Sequence, residues 1–97
     1  MRYTYVEVQE EDELILDVPS FPEIVCTINS EDQRLGRVPA IAYDAVKNAL
    51  QARINYNDVI PRPSTETYTG KYVLLSPLDI LKISLYEQMQ KHKGSRA

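Results

Sequence analysis

The sequence predicts an α+β fold, a β-β-β-α-β layer followed by a C-terminal helix, and three observations carry that prediction. Short runs rich in Val, Ile, Thr and Tyr fill the first 28 residues, separated by acidic and proline-bearing breaks. One amphipathic stretch of helical period follows, from Pro39 to Ile54. A further strand-like run then leads into a capped helix near the C-terminus. The 97 residues, 43% of them hydrophobic, suit one compact unit with a small core.

Residues 1–9 read as a first strand, and the acidic run Glu10 to Glu13 as its solvated turn. Residues 14–18, Leu-Ile-Leu-Asp-Val, should return antiparallel to it. Pro19 and Pro22 end that strand, because neither can donate to a ladder. Residues 23–28 make a third short strand, and 29–37 a polar loop. Pro39 then starts a helix, a residue favoured at the first helical position. Ile41, Ala42, Ala45, Val46, Ala49, Leu50 and Ile54 form its apolar sector, opposite Asp44, Lys47, Asn48 and Gln51. Residues 55–67, with Pro61 and Pro63, form a loop, and 68–75 a fourth strand interrupted by Gly70.

Ser76, Pro77 and Asp79 supply an N-cap, a first-position proline and a first-turn acid for a second helix over 77–91. Its wheel carries two apolar faces. Leu78, Leu81, Leu85 and Met89 form a tight stripe, and Ile80 and Ile83 lie opposite. Two such faces need two partners. The expectation is that Ile80 and Ile83 are the unpartnered pair, available for dimerisation or for helices beyond residue 97.

Charge is distributed unevenly. Residues 1–32 carry nine acids and one base, and residues 33–97 carry ten bases and five acids, within a net charge of −3. Such asymmetry points to two different surfaces, an acidic one suited to a basic partner. No run approaches the roughly 20 apolar residues of a membrane span. No secretory leader is visible at the N-terminus. With the single Cys26 unable to form an intrachain disulfide, a cytoplasmic location is expected.

Catalytic chemistry is not expected. The lone His92 lies in the basic tail Lys91-His92-Lys93, whose charges disfavour protonation and metal binding alike. Cys26 falls inside a strand with no histidine near it in sequence. The run Glu10 to Glu13 lacks the alternation and the glycine of a hard-metal loop. Gly36, Gly70 and Gly94 are isolated, so no phosphate loop exists. Neither cofactor nor metal is expected. A small hydrolase would need Asp17 and other acids to converge on a metal. Direct nucleic-acid binding is weakly supported, because Tyr3 and Tyr5 sit in the acidic part.

Several segments together resemble the HicB antitoxin family. They are Met1-Arg2-Tyr3, Val18-Pro19-Ser20-Phe21-Pro22-Glu23, Ala45-Val46-Lys47-Asn48-Ala49-Leu50, Asn57-Asp58-Val59-Ile60-Pro61-Arg62-Pro63-Ser64 and Leu75-Ser76-Pro77-Leu78-Asp79-Ile80-Leu81-Lys82. The resemblance implies a partial ribonuclease-H-like β-β-β-α-β layer without the catalytic acids. It implies an antitoxin that occludes HicA, a small basic toxin that cleaves mRNA through one histidine. It further implies a C-terminal helix-turn-helix or ribbon-helix-helix that represses the operon. The alternative function is accordingly a DNA-binding transcriptional autorepressor.

On this reading residues 1–67 are the toxin-neutralising body with its Pro-rich linker. Residues 68–97 are a dimerisation element or the start of a DNA-binding domain truncated at Ser95-Arg96-Ala97. Phe21, Glu23, Glu31 and Asp32, beside the Pro-rich strand end and the lengthened loop 29–38, are the expected toxin contacts. Tyr72, Leu74, Ile80 and Ile83 are the expected dimerisation residues, in a homodimer or higher oligomer. DNA is expected as a partner only where a complete DNA-binding domain is present.

Overall fold

The computed structural model describes residues 1–63 and 71–95, the last four of these as backbone alone. Strand residues 68–70 and linker residues 64–67 of the sequence reading lie outside the described residues, as do Arg96 and the side chains of His92 and Lys93. The fold is α+β, with small antiparallel sheets and helices.

The first strand-like run divides at Tyr5 into β1 (Arg2–Thr4) and β2 (Val6–Glu10), which pair with different strands. β2, β3 (Glu13–Asp17) and β4 (Cys26–Ile28) form one antiparallel sheet in that order. Its register sets Val8 opposite Ile15, and Ile15 opposite Thr27. β1 instead pairs antiparallel with the returning strand, with Tyr3 opposite Val73. The Tyr5 N–H donates to the Lys71 carbonyl at 3.1 Å, and the Leu75 N–H to Met1 at 3.2 Å, extending that ladder at both ends. One continuous run thus holds two ladders.

The β2–β3 turn has two central residues, Glu11 and Asp12, with Glu11 left-handed at φ 53°. Gln9 Nε2 closes it by donating to the carbonyls of Glu11 and Glu13, at 3.0 and 3.2 Å. The third strand begins at residue 26 rather than 23. Between Pro19 and Val25 the chain makes two successive turns, closed by Phe21 N–H to Val18 and Ile24 N–H to Phe21. The two prolines hold these turns and delay the ladder.

Residues 29–37 are not the polar loop the sequence predicts. They contain a short helix, α1 (Ser30–Arg34). Asn29 caps it, its side-chain oxygen accepting from the Asp32 N–H at 2.8 Å. At its far end Gly36 is left-handed at φ 69°, and Gly36 and Arg37 donate to the carbonyls of Gln33 and Asp32. That is a Schellman closure, and it uses the glycine where a Cβ is unfavourable. The next helix, α2 (Val38–Asn55), starts within a residue of the expected Pro39. It ends on the same motif, with Asn57 at φ 55° and Asn57 and Asp58 donating to Ile54 and Arg53.

Ala42, Val46 and Leu50 of α2 bury against Tyr3, Tyr5, Leu14, Leu16 and Ile28 of the strands. Phe21 and Val18 of the turn segment and Ile60 of the following loop close the sides of this core. β5 (Tyr72–Leu74) and the segment after it contribute Val73 and Leu75. The last helix, α3 (Pro77–Ser95), contributes Ile83 and packs Ile80 and Tyr86 alongside. The core is therefore common to both parts of the chain.

The two faces of α3 are reversed relative to the sequence reading. Ile83 is 4% exposed and Ile80 half-buried, so neither is the unpartnered face. The stripe Leu78, Leu81, Leu85 and Met89 stands in solvent instead, at 55–73% exposure. The reason is local polar geometry. Ser76 and Asp79 form a reciprocal capping box, with Asp79 N–H to Ser76 Oγ at 3.1 Å and Ser76 N–H to Asp79 Oδ2 at 3.3 Å. The same Asp79 oxygen accepts from Tyr43 of α2, and Tyr86 donates to the Asp58 carbonyl. These bonds fix the roll of α3 so that Ile80, Ile83 and Tyr86 face inward.

No atom lies within 4 Å of the position a Cβ would take at Gly36, so only backbone conformation opposes a side chain there. Gly36→Ala should therefore destabilise the protein by about 1 kcal/mol, without repacking, in a urea titration.

Candidate functional site: the acidic end of the sheet

Acids far apart in sequence meet at one end of the molecule. Gln33 of α1 donates from Nε2 to the Asp12 carbonyl at 3.1 Å and to the Ile28 carbonyl at 3.0 Å. It thereby ties α1 to the β2–β3 turn and to the end of β4. Glu10, Glu11, Asp12 and Glu13 of the turn and Glu31 of α1 are all exposed there. None of these five forms an ion pair among the described residues. Arg34, in the last turn of α1, is the only base within that helix. The arrangement concentrates negative charge, unpaired among the described residues, on one end of the sheet, which attracts a cationic surface.

The four expected contact residues fare differently. Glu31 belongs to this end and is free to meet a partner. Asp32 sits beside it in the first turn of α1, but Arg37 engages its carboxylate at 3.0 Å. Glu23 is bound edge-on by Arg53, at 2.8 Å from Nε and 2.9 Å from Nη2. Phe21 is a correction: it is fully buried, 4.9 Å from the Tyr3 ring in an edge-to-face arrangement, and cannot be a surface contact. A phenylalanine between two prolines reads from sequence as displayed. Here the double turn folds it inward.

The residues that complete the acidic end are Glu10 to Glu13 and Gln33, which the sequence reading treats as a solvated turn and part of a loop. One signal for them was available. Asn29 followed three residues later by Asp32 is a helix-start pattern, and it would have placed Glu31 and Gln33 on one short helix.

Electrostatic shifts mark several internal joints of the molecule. Hydrogen bonds from Arg53 hold the Glu23 carboxyl below the usual carboxylate range. The Tyr43 hydroxyl, and then Ser76, do the same for Asp79. Burial pushes the Tyr3 phenol up to about 12, while its hydroxyl donates to the Pro61 carbonyl at 2.8 Å. Burial also raises the half-buried Cys26 thiol, which disfavours the thiolate. No three His, Cys, Asp or Glu side chains among the described residues come together in a way that could hold a metal ion. No helix among them is long and apolar enough to cross a membrane.

Comparison of the chain with models of protein families, with curated proteins and with solved structures finds no match in any of the three.

Two outcomes follow from these joints. Phe21→Ala should cost about 3–5 kcal/mol in chemical denaturation, a core-sized loss. The depressed carboxyls of Glu23 and Asp79 stabilise the fold above their unfolded values near 4, and that stability is lost as pH falls through the folded values. Denaturation midpoints should therefore drop as pH falls below about 4, and Asp79→Asn should flatten part of that drop.

Proposed function

We propose that this chain is a HicB-type antitoxin that neutralises a small, basic, RNA-cleaving HicA-like toxin in the bacterial cytoplasm. The observation that carries the proposal is the unpaired acidic end formed by Glu10, Glu11, Asp12, Glu13 and Glu31. An RNA-binding toxin presents a cationic surface for phosphate, and carboxylates can occupy that surface in place of RNA. Resemblance to the family over the segments quoted above supports the same partner. On this reading the β-β-β-α-β layer is a partial ribonuclease-H-like body that works as a shield, not as a catalyst.

The toxin contacts then lie on the turn and on α1, with Glu31 central. Phe21 acts only as the buried support beneath the Pro-rich turn, and Glu23 as the clamp on Arg53. Gln9 and Gln33 hydrogen-bond to the backbone of the acidic end and hold its carboxylates in place for a partner.

Co-expression with a small, basic HicA-like toxin should give a complex that survives purification. In titration calorimetry, the triple variant Glu11→Lys, Asp12→Lys, Glu13→Lys should weaken that complex at least about 10-fold at low salt. The difference should shrink towards 0.5 M salt, as expected of screened charges, taking roughly 4–5 Å as the Debye length there. Equal affinity of the two proteins at low salt would remove the acidic end from the interface.

A further inference from the structure

We propose that the open face of the β2–β3–β4 sheet seats a cationic protein, with Val8, Ile15 and Thr27 across its middle and Glu10, Glu13 and Asp17 at its two ends. The partner is the basic toxin of the antitoxin reading, on which this assignment rests. It lies over the sheet as well as against the acidic end.

Register and burial define the face. Leu14 and Leu16 of β3 and Ile28 of β4 are buried in the core. Strand side chains alternate, so Glu13, Ile15 and Asp17 point the other way. Val8 and Thr27 stand directly opposite Ile15 on either side, Glu10 stands opposite Glu13, and Val6 opposite Asp17. Val6 and Ile15 are half-buried, yet neither belongs to the core nor packs against it. Val8 is 46% exposed, and Thr27, Glu10, Glu13 and Asp17 are exposed as well.

The pattern of β2 is the reverse of what a merely solvated face requires. An antiparallel sheet with one wet side keeps apolar residues inward and polar ones outward. In β2, Val6 and Val8 share the open face, while Glu7 and Gln9 stand opposite Leu16 and Leu14. The fold accounts for the polar pair, because Glu7 is bound by Lys71 and Gln9 closes the hairpin. It gives Val8 no such role and leaves it to solvent at the middle of the face. With Ile15 it makes an aliphatic centre between carboxylates, the apolar middle and charged rim of a protein interface.

Charge selects the occupant. β2, β3 and β4 contain no lysine or arginine, and Glu10, Glu13 and Asp17 form no ion pair among the described residues. Arg2, earlier in the run that leads into β2, is stacked on the Tyr72 ring at 5.0 Å. A second copy seated face to face would set these carboxylates against themselves. A nucleic acid or an anionic lipid surface would likewise meet like charge. A cationic surface with aliphatic side chains at its centre meets opposite charge at both ends and apolar contact between them. The face also continues into the acidic end, since Glu10 and Glu13 belong to both.

The test is titration of the full native chain with a purified HicA-like toxin, read by methyl nuclear magnetic resonance and by calorimetry. Methyl signals of Val8 and Ile15 should shift on binding, while those of Leu81, exposed on α3, stay in place. The variant Val8→Lys, Thr27→Lys should raise the dissociation constant at least about 10-fold with an unchanged far-ultraviolet spectrum. The control Ala52→Lys, Gln88→Lys adds the same charge at exposed positions of α2 and α3, and should leave the constant within about 2-fold. Unmoved Val8 and Ile15 methyls would overturn the sheet face and leave the contact at the acidic turn standing. So would native-like binding by the sheet variant, or an equal loss in the control, which would assign the effect to net charge. The methyl measurement uses the native chain and gives the answer even where the lysine pair unfolds the sheet. A toxin that does not bind the native chain at all would remove the antitoxin reading and the sheet face together.

Discussion

The carboxylate of Asp79 is the joint on which the arrangement of the molecule depends. One oxygen accepts from Ser76 Oγ at 2.8 Å, from the Ser76 N–H and from the Tyr43 hydroxyl. The first two start α3, and the third attaches it to α2. A helix cap is ordinarily a local device worth about 1 kcal/mol. Here it also sets the rotation of the helix, because the bond to Tyr43 allows only one face to lie against α2. Ile83 then enters the core and the leucine stripe is left outside.

A second cluster performs the same service at the Pro-rich turn. Arg53 binds Glu23 edge-on, donates to the Val59 carbonyl at 2.9 Å, and places its guanidinium 5.4 Å from the Phe21 ring centre. The turn after β3, the end of α2 and the loop beyond it are thereby joined at one side chain. Phe21 packs in turn on Tyr3, whose hydroxyl reaches the Pro61 carbonyl. Most of the free energy at this site comes from burying the two rings. The ion pair, with Glu23 45% exposed, contributes little by itself and mainly orients the turn.

These joints separate two surfaces of different chemistry. The sheet end presents carboxylates that no cation of the described residues neutralises, whereas the outer face of α3 presents the apolar side chains of Leu78, Leu81, Leu85 and Met89. Charge draws an opposite charge over several ångströms and is weakened by salt; apolar area acts only on contact and is indifferent to salt.

Local chemistry was legible in the sequence wherever a short pattern dictates a short structure. The β2–β3 hairpin follows from alternation around an acidic turn, α2 from its apolar sector, and the start of α3 from Ser76, Pro77 and Asp79. What sequence could not supply was the outcome of competition between alternatives that look equal along the chain. Residues 1–9 form an unbroken strand pattern, and only the return of β5 divides them between two ladders at Tyr5. Phe21 between prolines reads as exposed until Tyr3 and Arg53 surround it. Both faces of α3 are apolar, and hydrophobicity alone favours burying the stripe of four, Leu78, Leu81, Leu85 and Met89, over the pair Ile80 and Ile83. Tertiary structure decided for Ile80 and Ile83, because directional bonds from Asp79 and Tyr86 fix the helix roll, and hydrophobic burial has no direction of its own.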